Sequence, residues 1–465
     1  MIKDMTHGTP SKLIFSFAMS MMMTAALNYV YALADSVMVS WYVEVNALGA
    51  VSLVSQITSF SVGLMSGTIS GFAVLLGKAF GAGDRERMRR MMANILYIST
   101  AIVVVGSAFL CIFGRLLLTL TNTPDDLMDM AYAYMMVSNV GNLVFYISWI
   151  FSSVFRSLGD SRTPLLVSAL CGGLNVVFNY LFLRIIPLGT AGAALGSVCA
   201  SAVGGILYIF FFIKRMEILH FSSREAAISF RTIGSLLGIG LPMGLQSSIT
   251  AIGALILQTA VNSHGSTAVT GISTGGKAMS LVWYMLYFES ALVYFAAQNC
   301  GAGRIDRVRK GIRSTFFFCL AWSGSLGLIF FFLGKYYYMF FVGDSPEIIA
   351  IAQRYFVTQV IFFPFMTTLL TWRGALQGIG YTLPAVFCGV TELISRAVVS
   401  FFFADNLNML FFAGPMAWVS TSIFLGILLP KMLRRAEKKI TATAPVSAEH
   451  GTPEDSEKPV VHAES

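Results

Sequence analysis

Charge is what this chain has least of. Only 12% of its 465 residues are charged and 56% are hydrophobic, whereas soluble domains carry about 25% charge. So few charges leave too little polar surface to face water, and a lipid bilayer is the natural solvent. Histidine is also rare: His7, His220, His264, His450 and His462 are scattered, with no HExxH or HxxxxD pattern. That leaves a polytopic membrane enzyme without the polar cluster it needs at one membrane face. The cysteines Cys111, Cys171, Cys199, Cys300, Cys319 and Cys388 include no CxxC pair, so zinc and disulfide roles are not expected and small buried apolar side chains are. A nucleotide-driven pump is excluded too. Gly71–Lys78 imitates a P-loop, but five residues separate its glycines and Ala79 lacks the magnesium-binding hydroxyl. No cofactor is expected, apart from Na⁺ or H⁺ as a coupling ion.

What the chain has is long apolar runs. Twelve reach the roughly 20 residues a membrane-crossing helix needs: 13–38, 46–77, 91–118, 128–155, 164–186, 189–213, 233–262, 267–298, 312–342, 346–372, 383–403 and 407–430. Their length excludes the ~10-residue strands of an outer-membrane barrel. The first run is too long for a signal-peptide core and no cleavage site follows it, so it reads as a retained helix. Net charge is +8, and its distribution speaks for membrane topology instead of nucleic acid. Lys and Arg gather on alternate loops, with Arg156, Arg162 and Arg373 counted among them, while the opposite loops hold only Arg115, Arg184 and Lys335. That bias predicts a multi-pass protein of the inner (plasma) membrane with both termini in the cytoplasm.

The sequence repeats internally. Residues 77–90, GKAFGAGDRERMRR, align at an offset of 220 with residues 297–310, AQNCGAGRIDRVRK, and the same offset maps Pro164 onto Pro384. The glycines suit the positive-φ turn of a helix C-cap. Six spans therefore repeat as six spans of the same orientation. The expected fold is all-α: twelve transmembrane helices in two six-helix bundles related by a pseudo-two-fold axis along the membrane normal. The predicted domains are an N-terminal lobe (1–213), a linker (214–232), a C-terminal lobe (233–430) and a disordered tail (431–465).

The paired GAG loops, ADSVMVSWY in the first span, FRSLGDSRTP after the fourth, LGTAGAALGS opening the sixth, GLPMGLQ opening the seventh and RGALQGIGYTLP before the eleventh together resemble the multidrug and toxic compound extrusion (MATE) family. The resemblance covers roughly residues 10–430. It implies an antiporter that exports organic, often cationic and amphipathic compounds in exchange for Na⁺ or H⁺, with the lipid bilayer and a small-molecule substrate as partners, no nucleic acid, and a monomeric state. A lipid-linked oligosaccharide flippase of the same superfamily is the alternative, and a transporter-shaped receptor would need a signalling domain that the short linker does not supply.

A carboxylate within a span is a functional candidate by default. Asn28, Tyr31 and Asp35 fall at helical spacing, and the resemblance assigns Asp35 to cation coupling. The family's Asn-x-x-x-Asp in the fifth span is Asn175 and Asn179 here, so the second carboxylate is missing. Ser197 matches a hydroxyl position of the same lobe. Asp35, Asn175 and Asn179 are therefore a candidate oxygen site for Na⁺, and a lone buried Asp35 is equally suited to H⁺. The family's proline near the start of the first span is absent, whereas Pro242 and Pro364 are positioned to bend the seventh and tenth. For the substrate cavity the expected residues are Asn28, Tyr31, Gln56 (with Ser52, Ser55 and Ser59), Gln246, Lys277, Tyr284 and Glu289. Glu392 and Arg396, four apart, are expected to pair.

Overall fold

A computed structural model describes residues 2–42, 45–120 and 123–443. Among them, ten helices are long and apolar enough to cross a membrane, and two bent pairs bring the number to twelve. The first six spans are α1 (Pro10–Tyr42), α2 (Val45–Gly81), α3 (Arg85–Leu120), α4 (Asp125–Ser157), α5 (Arg162–Tyr180) and α6 (Gly189–Arg215). The seventh is α7 (Phe230–Asn262). The eighth is α8 (Gly265–Val282) and α9 (Leu286–Gly301), joined by a 3₁₀ turn over Trp283–Met285. The ninth is α10 (Ile305–Val342) and the tenth is α11 (Pro346–Val360) with α12 (Phe363–Gly378). The eleventh is α13 (Leu383–Phe402); a short α14 (Leu407–Leu410) and α15 (Ala413–Thr443) make the last.

Pro364 opens α12, and the tenth span bends there by 56°, as a missing N–H requires. Pro242 lies within α7, which continues through it without a break. α15 runs on to Thr443, so residues 431–443 are helical and not a disordered tail; the rest of the predicted tail lies outside the described residues.

The lobes cross-pack. α2 lies against α7, and α1 against α9. Glycines allow the approach: a Cβ on Gly67 would stand 2.8 Å from the Gly244 Cα, and one on Gly71 2.5 Å from that of Gly240. At the basic face the two GAG loops meet reciprocally. A Cβ on Gly81 would overlap the Gln298 carbonyl oxygen, and one on Gly301 would overlap that of Lys78. Lys78 and Gln298, like Gly81 and Gly301, are 220 residues apart, so the pseudo-two-fold axis passes through this contact. The two glycines of each loop thus do different jobs. Gly83 and Gly303 adopt the expected positive φ, 70° and 76°, whereas Gly81 and Gly301 are where the lobes touch.

The segment before α1 runs across the same seam. Lys3 N–H donates to the Leu158 carbonyl of the first lobe (3.0 Å). Met5 N–H donates to Gln298 Oε1 (2.9 Å), and Asn299 Nδ2 and Arg307 Nη2 donate to the Met5 carbonyl (both 3.1 Å). Gln298 Nε2 in turn reaches the Ser157 carbonyl at 2.8 Å. The basic face is sealed by backbone–backbone contact and by this strap.

Candidate functional site

The helix α1 lines two separate spaces. Its first half borders a cavity of about 1090 Å³ between the lobes, where Met21, Ala25, Asn28 and Tyr29 form one wall. Its second half turns into the N-terminal lobe, against α5.

There Asp35 meets the two asparagines of α5. Asn179 Nδ2 donates to Asp35 Oδ1 at 2.6 Å and to Asn175 Oδ1 at 3.2 Å. Asn175 Nδ2 donates to Ser197 Oγ of α6 at 2.9 Å. Asn175 and Asn179 sit one helical turn apart, which places both amides on one face. The four residues predicted from the sequence thus form one hydrogen-bonded chain across three helices. Just beyond Asn179, α5 widens into a π-helical turn over Leu181–Ile185; such turns recur at functional sites. The Oδ1 of Asn179 is buried without a partner. A carboxylate, two amide oxygens and a hydroxyl are the kind of oxygen set a hard cation takes; Asn175 Oδ1 and Ser197 Oγ already accept hydrogen bonds within the chain, and Asn179 Oδ1 does not. No group of three or more His, Cys, Asp or Glu occurs among the described residues. A small adjoining pocket of about 220 Å³ is lined by Tyr31, Tyr134, Asn175 and Ser197.

Several placements differ from the sequence expectation. Tyr31 belongs to this N-lobe pocket and not to the central cavity, because α1 has turned towards α5 by that height. Lys277 is exposed, its Nζ 4.7 Å from the Phe341 ring centroid at the end of α10. It does not line the cavity; its long stem carries the charge to the helix ends, as snorkelling lysines do. Gln56 is on α2, but its side chain, like those of Ser52, Ser55 and Ser59, lies outside the described ones. Asn28, Gln246, Tyr284 and Glu289 do line the central cavity.

The second lobe contributes a buried ionic cluster to that cavity. Arg373, counted from sequence as a basic-loop residue, is instead buried in α12. Its guanidinium holds both oxygens of Glu289, Nε–Oε1 at 2.9 Å and Nη2–Oε2 at 3.1 Å, and reaches Glu392 Oε1 at 3.4 Å. Glu392 pairs with Arg396 one turn on at 3.5 Å, as its i,i+4 spacing predicted. Arg396 also donates to the Thr250 carbonyl at 3.1 Å. Arg156, likewise read as a loop residue, borders the cavity from α4. A planar, permanently charged guanidinium suits such burial where ammonium does not.

Two helical lobes enclosing a cavity, with an oxygen-rich cluster set aside in one of them, are the build of a membrane transporter. The MatE family model matches residues 20–181 and 242–402, one stretch in each lobe. The chain belongs to the MatE family of multidrug efflux transporters, and it is not an enzyme. It is 26% identical over 403 residues to the probable multidrug resistance protein YpnP of Bacillus subtilis, covering 86% of this chain and 88% of that one. To the probable multidrug resistance protein NorM of Thermotoga maritima it is 24% identical, over 80% of this chain and 81% of that one. A crystal structure of MATE in the bent conformation shares the fold, with a TM-score of 0.87 at 17% identity, covering 94% of this chain and 98% of that one.

Proposed function

We propose that the protein is a secondary antiporter that exports small amphipathic organic compounds in exchange for Na⁺ or H⁺ by alternating access. It would act as a monomer in the inner membrane, with the basic face and both termini in the cytoplasm. The observation that carries this reading is the bond from Asn179 to Asp35 at 2.6 Å, because it ties an ion-binding chain to the helix whose other half walls the cavity.

A ligand shifts a conformational balance only by its differential affinity for the two states. A proton or Na⁺ at Asp35 competes with the Asn179 amide for the same carboxylate. Its arrival therefore alters how α1 is held to α5, and the cavity wall at Asn28, about two helical turns away, feels the change. The driving force is adequate. A tenfold ion gradient supplies about 1.4 kcal/mol and each charge crossing 100 mV about 2.3 kcal/mol. Together they give about 3.7 kcal/mol per ion, enough to shift a two-state population by roughly 500-fold.

The test is export in proteoliposomes of a fluorescent amphipathic dye, with Na⁺ and pH gradients imposed separately. One gradient is expected to drive dye movement, and Asp35→Asn is expected to reduce it to the leak of empty liposomes. The variant should stay folded, since its carboxamide oxygen still accepts from Asn179. Undiminished gradient-driven export in Asp35→Asn sinks the coupling role, and no dye movement under either gradient sinks the antiporter reading.

A further inference from the structure

The ionisable groups that line the central cavity are Arg156, Glu289, Arg373, Glu392 and Arg396, with tyrosines besides. Four of the five are accounted for. Arg373 occupies both oxygens of Glu289, and Glu392 is shared between Arg373 and Arg396. Two carboxylates and two guanidiniums cancel, and neither carboxylate is left free to receive a cation. Arg156 is the remainder. It makes no side-chain hydrogen bond or ion pair with any described residue, and its Nε is buried without a partner. A guanidinium has five N–H donors and does not lose its proton in a protein. A charge in such a place calls for a counter-charge, and none of the described residues pairs with it. The lining of the cavity that it borders is more apolar than polar and includes Trp149, Tyr287, Tyr294, Met21 and Leu286. A volume of about 1090 Å³ lies just above the range typical of drug-sized ligand sites.

Taking the cavity to be the substrate site of the antiporter proposed above, we infer that it selects amphipathic compounds bearing a carboxylate, which Arg156 receives while the apolar body lies against the aromatic wall. Planar carboxylate and guanidinium match as a two-pronged pair. The first lobe thereby supplies the charge contact and the second, through Glu289 and its neighbours, a neutralised floor. This polarity is opposite to the cation preference that the family resemblance implies. The signal was present in the sequence as the arginine of FRSLGDSRTP, but flanking turn residues disguise it as a loop charge.

The experiment uses two probes with one aromatic core and opposite charge, 1-pyrenebutyrate and 1-pyrenemethylammonium. Each is titrated into the purified full chain in a neutral detergent, against a protein-free blank. Energy transfer from Trp149, Trp283 and Trp418, all of which line the cavity, reads the binding. The carboxylate is expected to bind about tenfold or more tighter than the ammonium, the factor that a charge-assisted hydrogen bond supports. Arg156→Gln should weaken the carboxylate about tenfold and leave the ammonium within about threefold, and Arg156→Lys should keep part of the preference. Equal binding of the two probes, tighter binding of the ammonium, or an unchanged ratio in Arg156→Gln overturns this inference alone. Failure of both probes to bind the wild-type protein overturns it together with the assignment of the cavity as the substrate site.

Discussion

Arg373→Met is expected to destabilise the protein by about 3–5 kcal/mol, the penalty for leaving a buried charge without its partner. The guanidinium belongs to α12, grips Glu289 of α9 with two nitrogens and touches Glu392 of α13. Glu392 keeps Arg396 when Arg373 is gone, but Glu289 has no other partner among the described residues. Glu289 therefore carries most of the cost. The prediction has a sharp corollary, because replacing both members of a buried pair by neutral groups is often close to harmless. Arg373→Met combined with Glu289→Gln should recover most of the loss, and the double-mutant cycle should show strong coupling. Thermal unfolding of the detergent-purified protein, followed by a thiol-reactive dye on its buried cysteines, reads this directly. Equal unfolding temperatures for wild type and Arg373→Met would show that the cluster carries no stability.

Gly81→Val and Gly301→Val should each abolish export while leaving both lobes folded. Neither glycine needs an unusual backbone conformation, so valine is not excluded locally. The obstacle is the other lobe: a Cβ at either position overlaps a backbone carbonyl across the seam, which no side-chain rearrangement relieves. The basic face then cannot close, and a transporter that cannot close one face cannot alternate. Cys300, buried beside the contact with its Sγ 3.9 Å from the Ile379 carbonyl oxygen, serves as a native reporter. Its alkylation, followed by peptide mass, should accelerate at least about tenfold in Gly301→Val, the change a shift of about 1.4 kcal/mol in closure produces. Gly83→Ala is the matched control. It strains a positive-φ turn, costing about 1 kcal/mol, yet its Cβ meets nothing within 4 Å. Stability should fall slightly and export should persist. Normal export in Gly81→Val would remove the seam from the cycle.

What was legible in the sequence follows from which signals are local. The twelve spans and the six-plus-six repeat are local patterns of apolar length and of GAG spacing, and both hold. Glu392 and Arg396 are one turn apart, so their pairing was readable. The bond between Arg373 and Glu289 joins residues 84 apart, and no periodicity reports it. Arg156 and Arg373 precede turns, RSLGD and RGALQG, so counting charges by loop assigned them to the wrong environment. The strap at Met5 was invisible because its bonds use backbone groups, which carry no residue signature. The chain of Asp35, Asn175, Asn179 and Ser197 was reached by resemblance, since helical spacing alone aligns Asn175 with Asn179 but does not bring α1 and α6 to them. Tyr31 was misplaced for a related reason: spacing along α1 gives a face, while the packing of α1 first on the cavity and then on α5 decides what that face meets.

The central claim is that an ion at Asp35 governs how the two lobes are set at the basic face. Glu86 and Asp306 are exposed there, one on each lobe and 220 residues apart. Spin labels at these two positions, in a variant freed of its six native cysteines and reconstituted in liposomes, report the separation of the lobes. The distance distribution should shift when Na⁺ is added or when the pH is lowered from 8 to about 5.5, and Asp35→Asn should abolish the shift. A distribution that responds equally in Asp35→Asn, or that responds to neither ion in the parent, would contradict the account.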